Sequence, residues 1–303
     1  MVAHVLATVS NFRDWLATST YSSSWSGDVA TILRLLELST LEIETYCGRQ
    51  GRFGPVTATI EYDEGNGSLL DDPRPKLWDG ARASRGGLPW LLSLASATVY
   101  SGTDRATSSA LTENTDYYLT PYQNGTLVDQ PYNGLKLKDD SAATNPWGEV
   151  GQKVLSLTGE WGWQTSTTSP TTIDANITST SATTISVASV TSISEGHTLL
   201  IDTERLFVSG ISGTTLTVER GVAGSTAATH TSGADVATYI YPPTATQAAL
   251  SLTRIRWRDR DGGLTEEVSA EGIVLTRPTV ERRAILADCD PFASHAWNQG
   301  VVF

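Results

Sequence analysis

Hydrophobic residues recur at steps of three and four in a segment near the start of the chain, between Ser26 and Gly48. This spacing places them on one face of a helix. Ser26 is a suitable N-terminal cap, and Gly48 suits the left-handed residue that ends many helices. The pattern predicts a long helix over residues 26–48, preceded by a shorter helix over 11–17 with Asn11 as its cap. The positions on the apolar face are Val29, Ile32, Leu33, Leu36, Thr40, Ile43 and Cys47.

The pattern changes to a period of two after the long helix, which is typical of half-buried strands. Residues 56–62 alternate between apolar and polar, and Asn124-Gly125 is a strong hairpin signal between 117–119 and 126–128. These segments predict a small β layer over residues 56–159. Further alternating segments in it are 135–138 and 153–157.

A segment biased in composition follows the β layer. Thirteen of the twenty residues from Thr165 to Thr184 are Ser or Thr. Such a composition is typical of an exposed linker, so we expect a mobile connection here.

Short strands punctuated by glycine dominate the next part of the chain. Their near-regular spacing predicts a small barrel or sandwich over residues 172–241. The predicted strands are 184–187, 198–202, 206–208, 215–218 and 234–238.

A second long helix is predicted after Pro242-Pro243, with Thr244 as its cap and Gly262-Gly263 as its stop. It runs over 245–260, and Ala248, Leu252 and Ile255 form its apolar stripe. The last forty residues carry a predicted strand at 272–275 and a short helix at 279–287. Because such a tail has little core of its own, we expect it to dock on another surface.

The fold class that follows is α+β. A helical core with a β layer spans residues 1–171 and 242–263, and an all-β domain over 172–241 is inserted into it. Residues 264–303 form an extended C-terminal docking tail. The two long helices enclose the insertion in sequence, which suggests one module with a second folded into a surface loop.

Composition excludes several classes of protein. With 39% apolar and 18% charged residues, the chain is neither a disordered polyampholyte nor a membrane protein. We expect no membrane partner, since no stretch approaches the length that spans a bilayer and the N-terminus lacks a secretory signal. A net charge of −12 disfavours gripping nucleic acid but is compatible with a surface past which DNA slides.

Motifs for catalysis, cofactors and metals are weak. Residues 221–224 lack the Lys-Ser/Thr of a phosphate loop, and the four histidines form no metal-binding pair. Neighbouring acids such as Asp139-Asp140 read as solvated turns, and Asp202 and Glu204 lie on a tight turn without enough oxygen ligands for calcium. We therefore predict no enzyme activity and no cofactor.

Arginine and tryptophan supply the candidate contact residues. The basic cluster interleaved with Trp257 complements the C-terminal end of its helix, docks an acidic neighbour or makes a few phosphate contacts. Trp147, Trp161 and Trp163 suit a core or a subunit interface, or, if exposed, stacking on sugars. The arginines of the cluster are Arg254, Arg256, Arg258 and Arg260.

The order of several segments resembles the head–tail connector (adaptor) proteins of long-tailed double-stranded DNA bacteriophages. A helix ending at 43–49 is followed by Phe53, by two β segments, by a strand that is similar to the family's "TG-x-WG" segment and by a Pro-led helix. A further series resembles a β module of related phage connectors. The β segments are 116–119 and 131–135, the strand is 157–163, and the module segments are 200–205, 216–221 and 227–230.

The resemblance implies a structural protein of the virion neck. Such proteins form a ring, typically of twelve copies, that docks on the portal protein and joins the DNA-filled head to the tail. Genomic DNA passes through the channel without sequence-specific binding, and a tail-side neck or tail terminator protein is the other partner. The implied location is the virion, with host cytoplasm during assembly. The alternative is a phage tail or capsid decoration protein with a carbohydrate-binding β domain.

Overall fold

The computed structural model describes twelve segments of the chain. They are residues 4–17, 29–47, 53–62, 90–101, 107–120, 131–132, 134–137, 155–163, 166–262, 268–269, 272–273 and 278–292.

The fold is a mixed α+β arrangement, as the patterns predicted, and its sheets are antiparallel. The helices are α1 (Val9–Ala17), α2 (Val29–Tyr46), α3 (Pro243–Gly262) and α4 (Pro278–Ala287). The first seven strands are β1 (Val56–Tyr62), β2 (Leu91–Ser101), β3 (Thr107–Leu111), β4 (Tyr117–Thr120), β5 (Gly134–Leu137), β6 (Leu155–Trp161) and β7 (Ser166–Thr172). The others are β8 (Thr184–Ser186), β9 (Thr198–Ile201), β10 (Glu204–Ser212), β11 (Thr215–Glu219), β12 (Asp235–Ile240), β13 (Val268–Ser269) and β14 (Gly272–Ile273).

Two compact units divide the chain. The first, here called the helix–barrel unit, comprises Met1–Gly54 and Ser166–Ser294, and the second comprises Pro55–Thr165 and His295–Phe303. The four helices and strands β7–β12 belong to the first unit. This division differs from the predicted domains, which grouped the helices with the β layer rather than with the inserted strands.

The second unit is built on a sheet with the strand order β1-β6-β2-β3. One face carries the core, where Leu91, Leu155, Leu157 and Trp161 are fully buried. Strand β1 was predicted with its observed bounds, whereas β2 and β3 were not recognised. Strand β4 pairs with β5, and the predicted hairpin at Asn124-Gly125 lies outside the described residues.

Strands β7–β12 form a six-stranded sheet in the order β7-β12-β9-β10-β11-β8. Just beyond the ends of its two edge strands, Ile173 and Val187 form an isolated antiparallel bridge, and the Ala188 amide donates to the Thr172 carbonyl at 2.9 Å. The sheet therefore closes on itself, and we call residues 166–241 the barrel. Its core is apolar, with Leu199, Leu206, Leu216 and other aliphatic residues fully buried.

The expected mobile linker at 165–184 was wrong for the residues that the structure describes. Ser166–Thr172 is strand β7, which pairs along β12, and Ile173 and Ile177 are buried in the barrel core. Threonine is β-branched and favours a pleated surface, so a Thr-rich segment can form a strand when a partner strand is present. The barrel thus begins six residues before the predicted boundary at Thr172.

Helix α1 begins at Val9 rather than at Asn11. The amide of Thr8 donates to Asn11 Oδ1 at 3.0 Å, and the amide of Asn11 donates to Thr8 Oγ1 at 3.1 Å. This reciprocal pair is a capping box in which Thr8, not Asn11, is the cap. The caps predicted for the long helix, Ser26 and Gly48, lie outside the described residues.

Helices α2 and α3 pack side by side, although the barrel separates them in sequence. The Thr253 hydroxyl donates to Ser39 Oγ at 2.9 Å in the buried interface. The predicted stripe of α3 is confirmed, since Ala248, Leu252 and Ile255 are all buried.

The C-terminal segment contacts this helical layer through its last described residues. Cys289 and Phe292 are buried, and the Phe292 ring meets Phe53 edge-on at 5.5 Å between centroids. Tyr46 donates a short hydrogen bond to Asp290. The predicted short helix is present as α4, and residues 278–292 therefore dock on the helix–barrel unit of their own chain.

Candidate functional site

A buried ionic cluster lies at one end of the barrel, around Glu204. Asp202 is the first residue of the two-residue turn between β9 and β10 and adopts a positive φ of 52°, and Glu204 is the first residue of β10. Arg220 follows β11, and His230 precedes β12. The strand pairing therefore brings together four residues that lie within 28 positions of one another in the sequence.

The Glu204 carboxylate is fully buried and accepts five hydrogen bonds. Arg220 donates two of them in a fork, from Nε at 2.6 Å and from Nη2 at 2.7 Å. His230 Nε2 lies 2.8 Å away, and the amides of Gly221 and Ala228 donate at 3.1 and 2.9 Å. Every oxygen of this buried charge is therefore paired, as a stable interior charge requires.

Opposing forces act on the pKa of Glu204. Burial raises it, but the hydrogen bonds from Arg220, Ala228 and His230 and the positive charge of Arg220 lower it to about 2. The carboxylate is therefore ionised at neutral pH. The other ring nitrogen of His230, Nδ1, lies 2.7 Å from the exposed carboxylate of Asp202. Both ring nitrogens of His230 therefore face carboxylates.

This cluster, here called the Glu204 cluster, ties three loops together. Arg220 Nη2 donates to the carbonyl of Ala228 at 2.5 Å, and Nη1 reaches the carbonyls of Ser179 and Ala182 at 3.3 and 3.4 Å. Its donors and acceptors are used within the protein. The arrangement holds the barrel end in shape, and its charges are directed at one another.

A second buried polar group lies where helix α2 meets the N-terminal segment. His4 Nε2 lies 2.8 Å from Glu44 Oε1, and the amide of Phe53 donates to the same oxygen at 3.1 Å. The amide of Gly54 points at His4 Nε2 at 3.2 Å. Tyr241 lies near this group, and burial is the main cause of the raised pKa of its hydroxyl.

The barrel contacts α1 through the turn formed by residues 194–197. The Val9 amide donates to the carbonyl of Glu195 at 3.0 Å, and the Ser10 amide donates to Ser194 Oγ at 3.1 Å. His197 Nδ1 accepts the Ser194 amide at 3.1 Å, so this nitrogen carries no proton. Burial lowers the pKa of His197 to about 4, in agreement with a neutral ring.

The four arginines predicted for partner docking lie on α3 and have different surroundings. Arg256 pairs with Glu42 of α2 in a short ion pair, and the Arg260 guanidinium stacks 4.2 Å from the ring centroid of buried Trp257. Arg254 lies 5.4 Å from the ring centroid of Trp15. Arg258 is 53% exposed at its side chain.

The tryptophans predicted for a subunit interface lie in the second unit. Trp161 is 1% exposed in the sheet core, and its Nε1 donates to the carbonyl of Ala58 at 2.9 Å. Trp163 is half-buried and meets Trp90 edge-on at 4.7 Å. Trp147 lies outside the described residues. A role at a subunit interface stays a prediction.

Three further observations on the described residues concern metal ligands, cysteine thiols and membrane-spanning helices. Among them, no group of three or more His, Cys, Asp or Glu side chains is arranged to hold a metal ion. Both cysteines, Cys47 and Cys289, are buried as free thiols, and burial with the nearby charges of Asp288 and Asp290 raises the pKa of Cys289 to about 12. No described helix is both long and apolar enough to cross a membrane.

Sequence reasoning recognised the turn at Asp202 and Glu204 but did not connect it to Arg220 and His230. The signal was present in the segments 200–205, 216–221 and 227–230, which were noted only as part of a resemblance. A buried Glu needs a cation, and the second and third of these segments carry Arg220 and His230, which complete the cluster. No protein-family model, curated protein or solved structure matches this chain.

Proposed function

We propose that this chain is a structural protein of a bacteriophage neck. In this proposal, copies of the chain form a ring, of twelve subunits as is typical of the family it resembles. The ring docks on the portal protein, joins the DNA-filled head to a tail-side neck or tail terminator protein, and lets genomic DNA pass through its channel. It works as a scaffold in the virion, without enzymatic activity.

The observation that carries the proposal is the pairing of α2 with α3. These helices are 214 residues apart at the Ser39–Thr253 hydrogen bond, yet they pack directly against each other. The order of the segments around them is the order on which the resemblance rests: long helix, β layer, barrel, Pro-led helix. The helix pair thus supports a helical scaffold that carries a barrel between its two halves.

Charge agrees with this proposal. The chain has 33 acidic and 21 basic residues, and a ring multiplies its net charge of −12 by the number of copies. Such a field repels phosphate, so DNA that moves through the channel is not held there.

The aromatic residues of the barrel disfavour the alternative, a carbohydrate-binding domain. Sugar sites use exposed aromatic faces, and residues 166–241 contain no tryptophan. Phe207 and Tyr239 are buried, and Tyr241 is half-buried with its hydroxyl inside. The barrel therefore offers few of the flat apolar surfaces on which sugars stack.

The native mass of the purified protein, measured by mass photometry alone and with the portal protein of the same phage, tests the proposal. We expect a ring-sized species, or a shift to one when portal is added. A monomer or trimer that is indifferent to portal would contradict the proposal, and binding to host glycans would then support the alternative.

A further inference from the structure

The chain has two cysteines, and the fold brings them together although they lie 242 residues apart in the sequence. We propose that Cys47 and Cys289 are a disulfide site, which a small-molecule disulfide oxidises to a covalent bond between the end of α2 and the C-terminal segment. The C-terminal segment here means residues 278–292. This inference does not depend on the proposed function, because it concerns the fold of a single chain.

Each cysteine lies at the end of a helix. The Cys47 amide donates to the Ile43 carbonyl at 2.8 Å at the end of α2, and the Cys289 amide donates to the Leu286 carbonyl at 2.9 Å just after α4. Cys47 Sγ lies 3.8 Å from the carbonyl oxygen of Cys289. A disulfide needs Cβ atoms about 3.5–4.5 Å apart. Because one sulphur already contacts the backbone of the other cysteine, side-chain rotation and a small shift of the C-terminal segment are the movements that bonding requires.

Tyr46 gives a second indication that the two thiols lie close together. Its hydroxyl donates a hydrogen bond to Asp290, the residue after Cys289. Burial, this hydrogen bond and the negative charges of Asp290 and of the two cysteine thiolates raise the pKa of Tyr46 to about 12. Since Coulomb interactions weaken with distance, both sulphurs lie within electrostatic reach of one hydroxyl group.

The C-terminal segment is held weakly along α4. The described side chains of this helix, at 281–287, are exposed or half-buried, and two ion pairs to α2 and α3 each measure 3.6 Å. Exposed pairs of this kind contribute little to stability. The buried contacts are those of Cys289 and Phe292. We therefore expect the segment to detach more readily than the barrel unfolds.

Detachment is needed for the reaction, because the docked Cys289 thiol is unreactive. Burial and the charges of Asp288 and Asp290 raise its pKa to about 12, and the thiolate is the reactive form. In the detached state, one cysteine thiolate attacks a sulphur of oxidised glutathione, forms a mixed disulfide and releases one glutathione thiolate. The other cysteine thiolate then attacks the protein-bound sulphur and releases the second. Two protein thiols are oxidised, one glutathione disulfide is reduced, and the two protons pass through solvent to the released thiolates.

The bond fixes the C-terminal segment on α2. It closes a loop of 242 residues, and a cross-link restricts the unfolded chain more when the loop that it closes is longer. In reducing surroundings the two thiols persist and the segment can detach, whereas oxidising surroundings keep it docked.

The test incubates the reduced full-length protein in glutathione buffers that range from fully reduced to fully oxidised. The products are alkylated with N-ethylmaleimide in denaturant and weighed by mass spectrometry. We expect both alkylation sites to be lost in the oxidised buffer, and a non-reducing peptide map should contain the peptides of Cys47 and Cys289 joined. The melting temperature should rise by at least about 5 °C over that of the reduced protein, and excess dithiothreitol should reverse the rise.

Three variants complete the test. Cys47→Ser and Cys289→Ser cannot form the bond, so their melting temperatures should be the same in both buffers. Phe292→Ala removes the ring that meets Phe53 edge-on, and it should accelerate alkylation of Cys289 in the native reduced protein at least about fivefold. An equal rate in wild type and Phe292→Ala would contradict detachment of the segment.

Two further results would overturn the inference. Two alkylated thiols, or mixed glutathione disulfides alone, in the oxidised buffer would show that the sulphurs do not meet. A bond between two chains, detected as a dimer on a non-reducing gel, would assign the cysteines to a contact between copies. Neither result bears on the proposed function, which the native mass with and without portal tests separately.

Discussion

At the scale of single residues, the helix–barrel unit depends on charges that are buried but fully paired. Glu204 accepts from the Arg220 fork, from His230 and from two backbone amides, with no exposure to water. Removing one partner of such a group is costly, because the remaining charge loses its compensation without regaining water. The exposed member, Asp202, has water available in either state.

Glu204→Gln should lower the free energy of unfolding by about 3–5 kcal/mol, because the Arg220 charge stays buried without its carboxylate. Asp202→Asn is the matched control, since Asp202 is 62% exposed at its side chain, and it should cost less than about 1 kcal/mol. Urea unfolding followed by circular dichroism measures both. Equal losses would show that the barrel end does not depend on the buried pair.

His197 makes the stability of the barrel depend on pH in the acidic range. Its pKa is about 4 in the folded protein and 6.5 in the unfolded chain, so protons bind the unfolded state more readily between these values. Stability should therefore be complete above pH 6.5 and fall by about 3 kcal/mol as pH drops to 4. Unfolding at pH 7, 5.5 and 4.5 tests this.

The variant His197→Asn keeps an acceptor for the Ser194 amide but does not titrate. It should lose part of the pH dependence between 6.5 and 4, and a slope equal to the wild type would contradict the assignment. Glu204 acts at lower pH. Its contribution is complete above 4.5 and lost between 4.5 and about 2, because its folded pKa is depressed.

At the scale of elements, close approach between backbones decides where side chains are tolerated. Strand β6 runs between β1 and β2, and a Cβ on Gly159 would lie 2.4 Å from the carbonyl oxygen of Ser93. That atom belongs to the backbone of β2 and cannot move aside without breaking the ladder. Gly210 in β10 has room, since the nearest atoms, of Thr217, lie at 3.6 Å.

Gly159→Ala should destabilise the second unit by about 2 kcal/mol or more through overpacking, whereas Gly210→Ala should cost less than about 1 kcal/mol. Tryptophan fluorescence during urea unfolding reports on the sheet, because Trp161 lies in its core. The expectation fails if the two alanine variants unfold at the same urea concentration.

At the scale of the whole molecule, the barrel belongs to the same compact unit as the four helices. The turn at 194–197 supplies acceptors for the first amides of α1, which lack partners within their own helix. Gly196 in this turn has a φ of +97°, and a Cβ there would lie 2.9 Å from Val5 Cγ2. The barrel is thus joined to the helices by a contact that leaves little room for a side chain at Gly196.

Gly196→Ala should therefore loosen the contact between α1 and the barrel, because backbone strain and overlap with Val5 act together. Hydrogen exchange at the amides of Val9 and Ser10 should accelerate at least roughly tenfold, and the change in unfolding free energy should be about 2 kcal/mol. Gly213→Ala, at φ +60° with open space around it, isolates the strain alone. Equal exchange in both variants would show that the overlap with Val5 has no effect.

Periodicity in the sequence was sufficient to predict α2, α3, β1 and the barrel strands β8–β12. In these elements the apolar positions repeat at the period of the element itself, and the same positions are buried in the structure. Strand β7 was predicted as a linker because Ser and Thr carry no hydrophobic signal. Pairing with β12 made it a strand, and that partner is more than sixty residues away.

What the sequence by itself determined is local: helix faces, most strand positions, the α+β class and the acidic charge. Only the tertiary structure decided which residues meet. It joined Glu204 to Arg220 and His230, paired one of four similar arginines, Arg256, with Glu42 of α2, and grouped the barrel with the helices. The physical reason is that periodicity records which face of an element is buried, whereas the partner of a buried charge is set by packing between segments distant in sequence.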